Sequence, residues 1–127
     1  MRTLVIKLEH LPYTELNPNS RVHWAVKAKV IKTSREEVGW LAKVEWKDEK
    51  PMVKARISYM FMVKDHRRRD IDNLVAACKP FADGLIDADV FLYDDSKHLE
   101  YGISSVTTHD KNETIISVEE VESDIEL

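Results

Sequence analysis

Apolar and polar residues alternate in some segments of the chain and follow a helical spacing in others. The clearest alternation covers residues 53–63 and predicts a strand with one face in the core. Short segments rich in β-branched and apolar residues, at 3–9, around 99–107 and around 114–121, predict three further strands. From about residue 20 to residue 46, apolar residues recur at intervals of three, four and seven, which predicts a long amphipathic helix. Its apolar stripe contains Trp24, Ala28, Ile31, Val38, Leu41 and Ala42.

The limits and the charged face of this first helix also follow from the sequence. Ser20 is a suitable N-cap, and Gly39 is a position at which the helix is expected to bend. Between Arg21 and Arg35 the segment contains Lys27 and two other lysines but no acidic residue. A solvated helix surface and a surface that contacts DNA phosphates both explain this pattern. Arg21 and Lys27 are therefore candidate DNA-binding residues.

A second helix is predicted to begin near Asp70. Its buried face comprises Ile71, Leu74, Val75, Cys78, Phe81 and Leu85, and its opposite face comprises Asp72, Ala76, Lys79 and Asp83. Spacings of four, three and four residues place the second set on one side of the helix. Pro80 removes a backbone hydrogen bond and clashes with the preceding turn, so we expect a kink or break between Ala76 and Pro80.

In chain order, the predicted elements form a mixed α/β domain of the α+β class. We expect a small mixed β-sheet of about four strands and two main helices, in the order β-α-β-α-β-β. A chain of 127 residues supplies one core, so residues 1–127 are predicted to form a single domain. No apolar segment approaches the roughly 20 residues of a membrane-crossing helix, and no secretion signal is recognisable. The sequence therefore predicts a cytoplasmic protein without a membrane partner.

The formal net charge of −4 is unevenly distributed along the chain. The last nine residues, EEVESDIEL, contain five acids and no base, which leaves 18 acidic residues against 19 basic ones elsewhere. The body is therefore nearly neutral with local basic patches, and its net charge does not exclude binding to DNA. The acidic tail, about residues 119–127, has two interpretations: a solvated, fraying end, or a nucleic-acid mimic that contacts a partner.

Basic and acidic residues are concentrated in a segment that begins with RRRDID and ends with YDDSKH. Arg67, Arg68 and Arg69 directly precede Asp70 and Asp72. The acidic pair 94–95 follows after a helix-length interval. Arginines attract a polyanion, and carboxylates held close together favour a divalent metal ion. This combination predicts a metal-dependent phosphodiesterase whose arginines contact the DNA backbone, although an exposed basic run also serves solubility alone.

Two other classes of function explain parts of the same pattern. Asp70 is a favoured helix N-cap, and Asp72 in a first turn interacts well with the helix dipole. If these are their only roles, the protein is a non-catalytic DNA-binding module. A small-molecule phosphohydrolase with the same metal site is the third class, and the Lys- and Arg-lined approach disfavours it.

The motifs LNPNSRVHW, RRRDIDN, a helical lysine with D-G-L, and YDDSKH occur in this order. This order resembles the RusA-type Holliday junction resolvases, particularly their phage-borne relatives, from about Leu16 to His98. The resemblance implies a small mixed sheet with helices, a homodimer, and Mg²⁺-dependent cleavage of four-way DNA junctions in recombination and repair. It also implies a bacterial or phage-encoded protein, in which Mn²⁺ is expected to substitute for Mg²⁺.

The resemblance also assigns individual residues. It implies that Asp70, Asp72 and Asp95 are the catalytic carboxylates and that Lys79 is the catalytic lysine. These three carboxylates are expected to hold Mg²⁺, with Asp94 as a substitute or outer-shell ligand. In the family the lysine follows the second aspartate by one helical turn, whereas Lys79 follows Asp72 by seven residues. Four and seven residues both return to the same helix face, so the geometry of the role is retained.

Overall fold

A computed structural model describes residues 1–123 and confirms the mixed α/β class and the predicted order of elements, with two subdivisions. The predicted second helix is divided in two, and the strand predicted around 99–107 forms two short strands, so the sheet has five strands. The elements are β1 (Thr3–Leu8), a 3-10 turn (Thr14–Leu16), α1 (Trp24–Glu45), β2 (Ala55–Val63), α2 (Ile71–Ala77), α3 (Lys79–Asp87), β3 (Leu99–Tyr101), β4 (Ser105–Thr108) and β5 (Glu113–Glu120).

The five strands form one mixed sheet. β5 lies between β1 and β2 and is antiparallel to both. The other edge of β2 pairs in parallel first with β3 and then with β4. Along β2 the predicted alternation is confirmed, because every second residue is buried: Ala55, Ile57, Tyr59, Phe61 and Val63.

The core is on the helix-covered side of the sheet, where α1 and α3 pack against each other. The largest fully buried side chains include Phe61, Phe81, Phe91, Ile57, Leu85 and Ile116. The two helices approach closely at Gly84, where an added Cβ would lie 2.5 Å from the carbonyl oxygen of Arg35 and 2.9 Å from the backbone nitrogen of Gly39. Arg35 also forms two hydrogen bonds, of 2.6 and 2.8 Å, with the carboxylate of Asp87. These contacts fix the position of α3 on α1.

α1 differs from its prediction at its start and along its apolar stripe. It begins at Trp24 with His23 as the N-cap, whose Nδ1 accepts a 3.2 Å hydrogen bond from the Ala25 N–H, and Ser20 precedes it. Val38 and Ala42 are buried as predicted, but no residue from 24 to 33 is buried, and Trp24 is 75% exposed. The stripe fails there because none of the described elements covers that half of the helix. α1 is also continuous through Gly39, and the bend expected there stays a prediction.

The predicted break near Pro80 is confirmed. α2 ends at Ala77 and α3 begins at Lys79, with Cys78 between them as the cap of both helices. Cys78 is buried, and this burial raises the pKa of its thiol. After the break the chain continues as α3, and Phe81 is buried in the core, as predicted.

The acidic tail predicted at 119–127 has a structured beginning. Glu120 belongs to β5, and its Oε2 accepts a 2.6 Å hydrogen bond from Arg2. Val121 N–H donates to the Lys54 carbonyl oxygen at 3.0 Å. Residues 124–127 lie outside the described residues, so the tail prediction is not tested there. Within residues 1–123, no helix is both long and apolar enough to cross a membrane.

Candidate functional site

Asp70 is the N-cap of α2. Its backbone is extended, and its Oδ1 accepts a 3.0 Å hydrogen bond from the Asp72 N–H. β2 delivers the chain to this position through the segment 64–69. Oδ1 therefore accepts from one of the unpaired N–H groups at the start of α2, as expected of a helix cap. The other carboxylate oxygen of Asp70 accepts no hydrogen bond within residues 1–123 and can bind a ligand.

Asp72, in the first turn of α2, is exposed and opens onto a different concave surface from Asp70. The cleft beside Asp72 is lined by Ile71, Val75, Tyr101, Gly102 and Ser104. The cleft beside Asp70 lies on the side of Tyr13 and of the arginines at 67–69. The two carboxylates thus mark the two sides of the first turn of α2.

Lys79 links α3 to the loop that follows it. Its Nζ donates hydrogen bonds to Asp83 Oδ1 at 2.6 Å and to Asp94 Oδ2 at 2.8 Å. Partial burial lowers the pKa of Lys79, but the hydrogen bonds that it donates to the two carboxylates outweigh this effect and raise that pKa. The hydrogen bond from Lys79 in turn holds the pKa of Asp94 below its usual value. The first turn of α3 and the YDDSKH loop are joined by this ion pair.

Tyr101 lies between the Asp72 cleft and the Lys79 ion pair. It lines that cleft, and its hydroxyl interacts electrostatically with Lys79, Asp94 and Asp83. Burial is the main cause of its raised pKa, and the charge of Lys79 acts in the opposite direction. Tyr101 therefore connects Asp72 to the ion pair across one surface.

Asp95 has partners of its own. His98 Nδ1 lies 2.7 and 2.9 Å from the two carboxylate oxygens, and the Lys97 N–H donates to Oδ1 at 2.9 Å. The hydrogen bond from His98 is the largest cause of the lowered pKa of Asp95. The neighbours Asp94 and Asp95 thus have separate basic partners, Lys79 and His98.

The three consecutive arginines have different environments. Arg69 is 11% exposed and donates two hydrogen bonds, of 2.8 and 3.1 Å, to the carboxylate of Asp65. Asp65 also accepts from the Arg67 N–H at 2.9 Å, and the hydrogen bond from Arg69 is the main reason that its pKa lies well below its usual value. The Arg67 side chain is largely exposed, 3.5 Å from Asp65. Arg68 is exposed and has no ion pair within the described residues.

Arg21 is exposed and precedes α1, and Lys27 is half-buried in the first turn of that helix. Neither forms an ion pair with any residue from 1 to 123, and the exposed ring of Trp24 lies between them in the sequence. Their contact with a phosphate backbone stays a prediction.

The acidic side chains suit a metal site by their chemistry but not by their positions. Carboxylate oxygens exposed to solvent are the donors that Mg²⁺ and Mn²⁺ prefer. Across residues 1–123, however, no three carboxylate, imidazole or thiolate groups lie close enough to share a metal ion. Asp94 instead forms an ion pair with Lys79, and Asp95 lies in hydrogen-bond contact with the His98 ring. The side chains are of the chemical type that binds a divalent metal. Metal binding requires Asp94 and Asp95 to give up their contacts with Lys79 and His98.

Several residues of the site were not assigned from the sequence. Asp65 and His98 could have been found, because they stand four and three residues from Arg69 and Asp95, the separations at which side chains meet in turns and helices. Tyr101 has no such signal, since its place depends on how β3 pairs with β2.

Comparison with known proteins gives a relative but no family. No family model matches the chain. An uncharacterized protein of Xylella fastidiosa is 32% identical to this chain over 80 residues. The match covers 61% of this chain and 52% of that protein, so the chain spans about half the length of this relative. The relative is bacterial, and its name describes no activity.

Proposed function

We propose that this protein is a Mg²⁺-dependent endodeoxyribonuclease of the RusA type that resolves Holliday junctions. The observation that supports it most is the Lys79–Asp94 ion pair of 2.8 Å, which connects the segment of the helical lysine and D-G-L to the YDDSKH loop. These are two of the four motifs on which the resemblance rests. A pair of acids used only as helix caps does not need a lysine that reaches the second acidic loop.

Asp70, Asp72 and Asp95 are proposed to hold Mg²⁺, for which Mn²⁺ substitutes, with Asp94 as an additional ligand. When bound, the metal ion supplies Lewis-acid activation of the attacking water and positive charge at the reacting phosphate. Asp70 and Asp72 are suited to positioning, because α2 fixes their backbones at its N-terminus. The expected products carry 5′-phosphate and 3′-hydroxyl ends.

Lys79 is proposed to stabilise charge on the reacting phosphate and on the leaving 3′-oxygen. Its hydrogen bond to Asp83 holds the ammonium group in place and favours its charged form. A positioned charge is more effective than one that must reorganise during the reaction. When DNA is bound, a phosphate oxygen takes the place of one of its two carboxylate partners.

The proposed substrate is branched DNA, and the proposed acting form is a homodimer. A four-way junction has near two-fold symmetry, and two copies of the site in a dimer nick opposing strands in the same way. The cations proposed to contact flanking phosphates are the exposed Arg68, Arg67 and Arg21 and the half-buried Lys27. The proposed setting is recombination and repair in the cytoplasm of a bacterium, with the gene of bacterial or phage origin.

A non-catalytic DNA-binding module is the second candidate, and one observation favours it. The carboxylate of Asp70 caps α2 through a 3.0 Å hydrogen bond, which is a sufficient structural reason for that residue. Asp72 has no such bond through its own carboxylate among the described residues. Asp72 is therefore the residue that separates the two candidates.

The test is incubation of the purified protein with labelled four-way junction and linear duplex, with and without Mg²⁺. We expect Mg²⁺-dependent, paired nicks in the junction, their loss in Asp72→Asn, and junction binding by that variant in the absence of metal. Asp110→Asn, on the exposed turn before β5, is the matched control and should cleave normally. Near wild-type cleavage by Asp72→Asn would refute the metal assignment. Junction binding by the wild-type protein without any cleavage would favour the second candidate.

A further inference from the structure

A cleft of about 320 Å³ lies between the turn at 12–14 and α2, on the Asp70 side of the site. Its apolar lining residues are Leu11, Pro12, Leu74 and Ala77. Its polar lining residues are Tyr13, Thr14, Asn17, Arg67, Arg68, Arg69, Asp70 and Asn73. A cleft that combines apolar walls with convergent polar groups is the usual form of a small-ligand site.

Three polar side chains that line this cleft have no partner. Within residues 1–123, the Tyr13 hydroxyl, the Asn73 amide and the Arg68 guanidinium form no hydrogen bond or ion pair. Other polar groups around the cleft are occupied: Asn17 Oδ1 accepts from the Asn19 N–H at 2.9 Å, and Arg69 is held by Asp65. An aromatic hydroxyl, an amide and a cation are therefore available together at one place.

The ring of Tyr13 is held in position without any ligand. It stacks on the His10 ring with centroids 4.8 Å apart and planes inclined by 22°. His10 is fixed in turn, because its two ring nitrogens lie 2.7 Å from the Leu11 carbonyl oxygen and 2.7 Å from Glu37 Oε1. Burial of Tyr13 is the main cause of the raised pKa of its hydroxyl, which therefore stays protonated and able to donate. Such prior ordering reduces the entropy lost on binding.

We propose that this cleft receives one unstacked nucleotide of the DNA strand that is cut, with its base against Tyr13. Stacking on an aromatic ring accepts any base, and an Asn amide offers a donor and an acceptor to a base edge, which Asn73 supplies here. Arg68 supplies the cation for the adjoining phosphate. Since Asp70 lines the same cleft, the bound nucleotide adjoins the phosphate that is cut.

The cleft thus gives the proposed enzyme a site that reads a base beside the cleavage position, and this inference rests on the proposed function. A base in a duplex is stacked on both sides and cannot enter. The bases at a junction crossover have interrupted stacking, so extrusion there costs less free energy. The cleft therefore contributes both to choice of the branched structure and to choice of sequence.

The first experiment measures binding without Mg²⁺, so that cleavage plays no part. 2-Aminopurine is placed at each position around the crossover, and its fluorescence is recorded as the protein is added. We expect one position at which bound wild-type protein gives a distinct signal, which Tyr13→Phe retains and Tyr13→Ala loses. Affinity for the junction should fall by about 5- to 150-fold in Tyr13→Ala. Trp40→Ala, which removes an exposed ring from the far half of α1, is the control and should leave both unchanged.

The second experiment removes the base instead of the ring. An abasic nucleotide at the position found above should weaken wild-type binding, and Tyr13→Ala should add little further loss on that substrate, because both changes remove one contact. Asn73→Ala is the second variant, since it leaves the Tyr13–His10 stack intact. Asn73→Ala should reduce the preference among bases at this position. Asn19→Ala, on the exposed turn, should leave that preference unchanged.

The outcomes separate this inference from the proposed function. Junction cleavage that depends on Asp72 but is indifferent to Tyr13, Asn73 and the abasic position would overturn the cleft and leave the nuclease standing. A Tyr13-dependent fluorescence signal in a protein that never cleaves would support the nucleotide cleft and refute the nuclease. Equal effects of the abasic nucleotide in wild type and Tyr13→Ala would also overturn the inference, because the two losses would then be independent.

Discussion

At the scale of single residues, the position of Lys79 between two carboxylates controls the charge of the Asp94 loop. The hydrogen bond from Lys79 favours the ionised form of Asp94 and lowers its pKa. In Lys79→Met that pKa should rise towards the ordinary value of about 3.9, and in Lys79→Arg it should remain low. Carboxyl ¹³C shifts followed by NMR during a pH titration measure it. An unchanged pKa in Lys79→Met would mean that the ion pair does not persist in solution.

The same variants test the catalytic role of Lys79. Removal of one preorganised donor from a charge-stabilising site typically lowers kcat by about 10²- to 10³-fold. We expect a loss of this size in Lys79→Met and a smaller one in Lys79→Arg, with junction binding in the absence of Mg²⁺ little changed. If Lys79 only holds the loop in place, kcat at saturating Mg²⁺ should change little, and a higher Mg²⁺ concentration should be needed for half-maximal cleavage.

Arg68 and Arg69 are adjacent and identical, yet substitution of each should have a different effect. Arg68→Ala should reduce the slope of log K against log salt for junction binding by about 1, because one phosphate contact is lost. Arg69→Ala should leave that slope nearly unchanged, because its guanidinium is already bound to Asp65. Binding titrations at several salt concentrations distinguish them, and equal slopes for the two variants would contradict the structure.

Arg69→Ala should also change the pH dependence of stability. The pKa of Asp65 is lower in the folded protein than in the unfolded chain, chiefly through the hydrogen bond from Arg69. The pair therefore stabilises the fold above the unfolded value of about 3.9, and this contribution disappears as the pH falls through the folded value. Urea unfolding should show a less stable variant at pH 7 and a shrinking difference as the solution is acidified. A difference that persists in strong acid would assign the effect to lost packing of Arg69.

At the scale of elements, the contact between α1 and α3 is sensitive to a single methyl group. In Gly84→Ala the new Cβ would lie 2.5 Å from the Arg35 carbonyl oxygen, so the helices must separate. Overpacking of this kind costs about 1–3 kcal/mol of unfolding free energy, measured by urea denaturation. Gly39→Ala is the matched control. Its Cβ would meet Gly84 O at 3.5 Å, an ordinary contact, and alanine favours a helix interior by about 0.5–1 kcal/mol.

The elements also show why some predictions from sequence succeeded. In β2 successive side chains point to opposite faces of the sheet, so the alternation of apolar and polar residues specifies which residues are buried, including Phe61. Pro80 specified the helix break because its ring and missing N–H act locally. The contact of Lys79 with Asp83, four residues apart in α3, is likewise a property of helical spacing. The predicted common face with Asp72 does not follow from that spacing, because the break at Cys78 places Asp72 in α2. Local geometry decided all of these features.

Predictions that depended on distant parts of the chain were less successful. The apolar stripe of α1 fails at Trp24 because burial there needs a partner element, and none of the described elements covers it. Three arginines in a row look alike in the sequence, and only the fold shows that Asp65 occupies Arg69. The separation of Asp70 and Asp72 into two clefts depends on where the turn at Tyr13 and the β3 strand pack.

At the scale of the whole molecule, the acidic tail begins beside the proposed site. Glu122 and Ser123 line the same concave surface as Ser96 and Lys97 of the YDDSKH loop. Ending the chain after Val121 removes Glu122, Asp124 and Glu126, and it should strengthen junction binding at low salt through reduced repulsion. A full-length variant with these three acids changed to Gln or Asn controls for length and should bind equally tightly. Unchanged affinity in both would favour the solvated-end interpretation of the tail.

The place of β5 between β1 and β2 has a consequence for how the protein is made. As a ribosome releases the chain, β1 and β2 emerge first but are not neighbours in the finished sheet. β1 and one edge of β2 stay unpaired until β5 is synthesised. β5 follows the other four strands in the chain and supplies backbone partners to both. Until then the nascent chain exposes unpaired strand edges, which favour association with other chains. The yield of folded protein should therefore depend on how soon β5 leaves the ribosome and on how early α1 and α3 cover β2.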